Sequence, residues 1–321
     1  MERKRLLFLI PLLLAMLLLG SCLPQRRPVA DVPAIPEAIA RGQRQEPTLK
    51  VWIAEEEKVQ EMQFEEYIAG VVAAEMDTAW PEEALAAQAI LARTFTLEKI
   101  AQNGGVPQRG AHASTDIEEF QAYDASRIND NVRQAVERTR GEVAHRQGKF
   151  VKAWFHANSG GRTATALEGL EYDKEPTPYV VSVEDAISVE AAPADQVSWK
   201  ESFSLTEVRQ ALKKIGQDPG QIRSVEVVDR GESGRATRLR IGNATVSAPS
   251  FRLAIGSTRM KSTLLESFKV EGNRLIIAGK GYGHGVGMSQ WGAKGRAERG
   301  EKAEDIVKAY FQNVSIDKIW D

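Results

Sequence analysis

Three places in this 321-residue chain bring together residue types that could do chemistry. The first is Glu75, in the stretch FEEYIAGVVAAEMDTAWPEEALAAQAILART from Phe64 to Thr94. At about 100° per residue, Phe64, Ile68, Val71 and Val72 fall on one helical face, and Glu75 comes round to within roughly 20° of Phe64. Its carboxyl then points with the apolar stripe, while Glu65 and Glu66 fall on the wet side. A carboxyl held against apolar surface resists ionising, and a proton kept near neutral pH is what a general acid requires. The competing reading is a solvated glutamate at a frayed helix end.

The second place is Gly279-Lys-Gly-Tyr-Gly-His-Gly-Val-Gly287, in which five glycines alternate around His284, followed by Met288-Ser289-Gln290-Trp291. Alternating glycines open backbone geometries closed to other residues and admit a bulky ligand close to the chain. A nucleotide loop is excluded, because the G-x-G-x-x-G spacing and a following GK[ST] are both missing. Ser289 as a helix cap and the Gln290 amide suit a polar sugar better than a phosphate. The third place is Asn158-Ser159-Gly160-Gly161. Ser159 with His156 or His284 raises a serine hydrolase, but Ala157-Asn-Ser-Gly160 is not a nucleophile elbow. The four histidines show no metal-binding spacing.

The elements that must position these groups can be read in outline. Trp80-Pro81-Glu82-Glu83 opens a second helix with proline near its first turn and acids at its positive end. That helix, Ala84 to Leu97, is rich in alanine and can pack close to the first, framing Glu75 at their junction. Leu49, Val51 and Ile53 alternate as a strand that returns through Val59, Glu61 and Gln63. Val106 to Asp124 is loop-like, Asn129 to Arg140 a helix, and Lys149 to His156 a strand. Pro176 to Ala194 is rich in turns. A second unit from about 197 to 270 holds a helix from Leu205 to Ile215 and strands at Ile222–Asp229, Thr237–Ile241 and Ala244–Val246. Ser250 to Ile255 is ambiguous. A hairpin turns over Gly272-Asn273, and helices follow from Ser289 and from Ala303. Local helix pairs and hairpins without βαβ alternation predict an α+β fold with a mixed sheet and a second, smaller α+β subregion.

Charge and address narrow the function. The 42 basic and 44 acidic side chains leave no basic excess for nucleic acid. Arg3-Lys4-Arg5 followed by Leu6–Leu19 reads as an export signal, its apolar run too short for the ~20 residues of a membrane span. Cys22, the only cysteine, follows Leu19-Gly-Ser and looks like the acylation site of a bacterial lipoprotein. An uncleaved signal anchor is the alternative. Both put the rest of the chain outside the cell, tethered to the membrane. Residues 23–47, with five prolines, read as a disordered tether, leaving 48–321 as the folded domain.

VVAAEM followed by EALAAQAILART, then FHANSGGRT, then GYGHGVGMSQWGA resembles the SpoIID/LytB family of bacterial cell-wall proteins. The resemblance spans Leu49 to Phe311, and Lys261-Ser262-Thr263 looks like a further landmark. It implies a lytic transglycosylase acting on peptidoglycan glycan strands stripped of stem peptides, as in engulfment of the forespore. The LytB branch implies an alternative, a non-catalytic protein that modifies a cell-wall amidase. On this resemblance Glu75 is the catalytic acid, and Tyr67, Ser159, Gly160, Gly161, His284 and Gln290 line the cleft. Two departures stand out. Asp77 replaces the proline usual after Glu-Met, so the end of the catalytic helix is expected to be less fixed. Members that bind zinc use Cys and His in the segment matching His112 to Tyr123, where this chain has His112 but no cysteine. Zinc takes three or four protein ligands, so no metal and no other cofactor is expected.

Overall fold

A computed structural model describes residues 32–321. The expected signal segment with Cys22, and the start of the expected tether, lie outside the described residues. Thr48–Ile53 (β1) and Lys58–Gln63 (β2) form the antiparallel hairpin that the Leu49-Val51-Ile53 alternation predicts. Ala113–Ser114 (β3) adds to β1 in parallel, which makes this small sheet mixed. The chain then enters α1, Phe64–Glu75, and α2, Glu82–Asn103, which ends on Gly104 in the left-handed conformation at φ 78°. Phe64, Ile68, Val71 and Val72 are all fully buried, as the 3.6-residue period requires. The alanines at 84, 86, 87, 89 and 92 are buried too, so α2 crosses the middle of the main core.

Asp130–Arg138 (α3), capped by Asn129, leads into Glu142–Arg146 (β4), which pairs with Lys149–Phe150 (β5). Phe155–His156 (β6) and Ala166–Leu170 (α4) follow. The single strand expected over 149–156 is therefore two short pieces. The turn-rich stretch before the second unit holds two helices the sequence did not announce, Ala186–Ala191 (α5) and Ala194–Val197 (α6).

The second unit has its own core, from Trp199 to Ile277. It comprises Ser198–Ser204 (β7), Leu205–Lys214 (α7), Val225–Arg230 (β8), Ala236–Ile241 (β9), Ala244–Ser247 (β10), Ala248–Ile255 (α8), Leu265–Glu271 (β11) and Arg274–Lys280 (β12). Ser204 and Glu207 close a capping box on α7. The ambiguous segment before Ile255 is helical, started by the Ser247 cap and Pro249 in its first turn. Strand β12 pairs with both β11 and β7, so this core runs on through the hairpin, past the boundary expected near 270. Met288–Ser289 (β13) returns to the main body beside β6. Gln290–Glu298 (α9), Ala303–Tyr310 (α10) and Ser315–Lys318 (β14) complete the chain, β14 pairing with β4. The result is α+β, built from several small sheets around helices.

Two expectations need correction. Glu65 is not on the wet side but buried. Its carboxylate accepts hydrogen bonds from Arg93 (3.1 and 2.7 Å), the Gly141 N–H (3.0 Å) and the Trp320 indole (2.8 Å). A buried charge is tolerable only when so fully partnered, and the partners lie 28 to 255 residues away, out of reach of a periodicity argument. The described part of the expected tether, residues 32–47, packs on the domain. Ile39 is 4% exposed, Glu46 caps the start of α1 by accepting from the Glu65 N–H (2.8 Å), and Arg44 donates twice to Asp321 (3.1 and 2.8 Å).

Candidate active site

Glu75 is the last residue of α1, and the turn of apolar residues before it carries its side chain inward, half-buried. Its Oε1 accepts one hydrogen bond, from the Ala122 N–H at 3.2 Å. It lines a cleft of about 150 Å³ with Phe95, Ile117, Phe120, Gln121, Ala153, Trp154, Phe155 and His284. Among the described residues lining that cleft, Glu75 is the one carboxylate. Removal from water against this apolar wall pushes its pKa up to about 7, and the Ala122 and Gln290 amides only partly oppose the shift. The carboxyl thus holds a proton in part of the population at neutral pH.

The end of α1 is held more firmly than the Asp77 departure predicts. A helix C-terminus leaves its last carbonyls without partners. Here three in a row find side-chain donors. Arg127 reaches the Ala74 carbonyl (3.4 Å) and the Met76 carbonyl (3.1 Å), and Gln290 donates to the Glu75 carbonyl at 3.1 Å. The Arg127 charge also complements the negative end of the helix. Asp77 itself accepts from the Ala79 N–H at 3.0 Å and so shapes the turn that a proline would have stiffened.

Gln290 sits where it does because Ser289 caps α9, its hydroxyl accepting from the Gly292 N–H at 3.2 Å. The glycine ribbon before it runs between close neighbours. At Gly287 a Cβ would come within 2.0 Å of the Trp154 carbonyl oxygen, and φ is +71°. No other residue fits there. On this ribbon His284 turns its Nδ1 toward the chain and accepts from the Val286 N–H at 3.0 Å. The neutral ring therefore carries its proton on Nε2. Burial, with the charges of Arg252 and Arg235 behind it, takes its pKa down to about 3. His284 is neutral and shares the cleft lining with Glu75.

The other expected cleft residues sit elsewhere. Tyr67 is fully buried, stacked on Tyr123 with ring centroids 5.7 Å apart, and donates to the Ser114 carbonyl at 3.3 Å. It backs the cleft wall without facing the cleft, because its helical phase is that of the core. Ser159 is buried as well, 2.7 Å from the Ser188 hydroxyl and accepting from the Gly161 N–H at 3.1 Å. The Ser159-Gly160-Gly161 turn is a bracket for the ribbon. Asn158 and Tyr282 exchange backbone hydrogen bonds of 2.9 and 2.8 Å, and both Gly160 and Gly161 have positive φ. Lys261-Ser262-Thr263 is a second bracket, with the Lys261 carbonyl accepting from Gly283 N–H (2.8 Å) and the Ser262 hydroxyl donating to the Lys280 carbonyl (2.5 Å). Of the tryptophans, Trp154 lines the cleft, while Trp80 and Trp291 pack on each other at 4.6 Å.

Sequence reasoning missed Arg127, Phe95, Ile117 and Gln121. Phe95 follows directly on the matched ILART stretch, and that adjacency was the available signal. Among the described residues no group of three His, Cys, Asp or Glu is arranged to hold a metal ion. The Nδ1 of His112 accepts from the Lys50 N–H at 3.1 Å. No helix among them is long and apolar enough to cross a membrane.

The motifs that build this site are those of a known family. Residues 54–145, which carry Glu75, match the family model described as stage II sporulation protein, SpoIID. Residues 173–287 match a domain of unknown function, DUF8618. The chain is 32% identical over 297 residues to stage II sporulation protein D of Bacillus amyloliquefaciens, covering 84% of this chain and 81% of that one. It is 33% identical over 259 residues to an uncharacterized protein of Brachyspira hyodysenteriae, covering 80% and 67%. An amidase enhancer of Bacillus subtilis (strain 168) is 28% identical over 295 residues, which cover 78% of this chain and 40% of that protein. The chain belongs to the stage II sporulation protein D family.

Proposed function

We propose that this protein is a peptidoglycan lytic transglycosylase that acts on glycan strands freed of stem peptides, in the cell-wall remodelling of sporulation. The observation that carries the reading is a lone carboxyl, Glu75, with a pKa near 7 in an apolar cleft. An ordinary glycosidase needs two carboxylates, one of them to activate water or attack the sugar. One suffices when the nucleophile is part of the substrate.

Glu75 donates its proton to the glycosidic oxygen between N-acetylmuramic acid and N-acetylglucosamine. The C1–O bond breaks and positive charge develops at the muramic acid C1. The same sugar's C6 hydroxyl closes on C1 and gives its proton to Glu75, leaving a 1,6-anhydro ring and a re-protonated acid. No water is consumed. The His284 Nε2–H is drawn toward the Phe155 backbone at the cleft wall, and Gln290 fixes the helix end from which Glu75 projects. The apolar wall of Phe95, Phe120, Trp154 and Phe155 suits a sugar ring's carbon face and lowers the dielectric around the acid.

The second reading, a glycan-binding modifier of a cell-wall amidase, is favoured by the likeness to the amidase enhancer. One experiment separates them. The purified protein is incubated with amidase-treated glycan strands, and products are analysed by mass spectrometry. Anhydromuramic ends from the wild type and none from Glu75→Gln are expected. No product from the wild type would favour the amidase modifier, and full activity in Glu75→Gln would reject Glu75 as the acid. We place the domain outside the cell, held to the membrane by a lipid on Cys22 or by an uncut signal anchor; metabolic labelling with a palmitate analogue, lost in Cys22→Ser, tests the lipid.

A further inference from the structure

The second core contributes an arginine to the back of this cleft. Arg235 follows the Gly231–Gly234 turn between β8 and β9 and is fully buried. It leaves its own unit. One Nη donates to the Arg162 carbonyl (2.7 Å) and to the Ser233 hydroxyl (3.0 Å), and the other to the Ser159 carbonyl (2.5 Å). Its guanidinium lies against the ribbon at Gly285. A Cβ on Gly285, next to His284, would meet Cζ at 2.4 Å and Nε at 2.5 Å. The turn that presents it is itself pinned, for Glu168 on α4 accepts from the Ser233 N–H (3.1 Å) and hydroxyl (2.5 Å). No carboxylate lies within ion-pair distance of Arg235 among the described residues, so its charge is held by carbonyl and hydroxyl oxygens and is felt by its neighbours.

We propose that Arg235 is a positioning residue for the Glu75 cleft, fastening the ribbon that bears His284 and keeping a fixed positive charge behind that imidazole. The inference rests on the reading of Glu75 as the acid. A charged imidazole in the same cleft as Glu75 would stabilise its carboxylate and draw off the proton that catalysis needs. Burial does most to keep the ring neutral, and the cations of Arg252 and Arg235 add to it. The groups around His284 are Glu75 in the lining of the same cleft, His156 on β6 with ring centroids 5.7 Å apart, Arg235, and Arg252 on α8. Behind them stand Glu168 and Asp185, whose charges act on Arg235, and Tyr282 with Lys261 above its ring, beside Arg252. The two arginines outweigh the more distant acids, in keeping with the lowered values at both histidines.

The test reads the imidazole directly. In the labelled full-length protein, the His284 ring is followed by NMR from pH 8 downward beside Arg235→Gln and Arg235→Lys. Arg235→Gln is expected to raise the His284 midpoint by about half to one pH unit, while Arg235→Lys, which keeps the charge, leaves it near the wild-type position. A folded Arg235→Gln with His284 unmoved, or a lysine variant shifted as far as the glutamine one, overturns the proposal. Should Arg235→Gln fail to fold, the wild type and Arg235→Lys decide it: a wild-type His284 midpoint at or above the ordinary value of about 6.5, or a lysine variant displaced from wild type by about one pH unit, overturns the proposal. Because the signal needs no glycan, a protein whose His284 moves as expected but which cuts no strand sinks the transglycosylase reading alone.

Discussion

Glu75 titrates where a cell works, and that sets two measurable behaviours. On the proposed mechanism the proton on Glu75 is lost as pH rises through about 7, so glycan cleavage should fall tenfold per unit above that value while circular dichroism stays constant. The same shift links to stability. The folded pKa lies above the ordinary 4.5, so the folded state binds the extra proton, and the favourable contribution present at low pH is lost as pH rises toward 7 and beyond. Glu75→Gln keeps a neutral amide in place, can still accept from Ala122, and escapes this loss. Urea melts should show the variant more stable than the wild type by on the order of 2 kcal/mol at pH 8 and little different at pH 4.5. Equal stabilities at both pH values would mean that the carboxyl is not held against the apolar wall as described.

At the scale of elements, the site depends on where α1 stops and on what clasps its end. Arg127→Ala and Gln290→Ala each remove a donor to the terminal carbonyls, at a cost of about 1 kcal/mol in stability. A larger drop in kcat than in stability is expected, because the acid's position, not the helix, is what loosens; the comparison of kcat with urea midpoint checks it. Gly287→Ala meets both a left-handed φ and the Trp154 carbonyl, and soluble yield should collapse. These elements differ in how far they could be read beforehand. The helix pair and its buried face were legible because their period is local and long. The clasp was not, because Arg127 and Gln290 reach α1 from 51 and 215 residues away. Helix α5 stayed hidden in a turn-rich segment because it is six residues long and is held by packing: Gly295 of α9 lets Ile187 and Ala191 approach so closely that a Cβ would meet them at 2.6 and 3.1 Å. Likewise, the motif residues Tyr67 and Ser159 were recognisable as types, but whether they face the cleft or the core is decided by tertiary neighbours.

For the molecule as a whole, two cores meet at the ribbon, and residues 32–47 and Trp320 are stitched to the helix that bears Glu75. Trp320 is fully buried, with its ring 4.9 Å from Phe64, and gives Glu65 one of its donors. Trp320→Phe keeps most of the packing but leaves that carboxylate one hydrogen bond short, a loss of about 2 kcal/mol; Trp320→Ala adds a cavity and should cost about 4 kcal/mol, both read from denaturant midpoints. The strap at residues 32–47 caps the start of the same helix through Glu46, so the described part of the stretch expected to be disordered helps set the helix that bears Glu75.

The Gln290 contact to the Glu75 carbonyl carries a consequence in time. Its two partners stand 215 residues apart, so helices α1 and α2 can form early from neighbouring contacts while the acid remains unset until the far end of the chain has docked. A protein diluted from denaturant should regain its helical signal first and, on the proposed activity, glycan cleavage last, because the end of α1 waits on a segment made long after it.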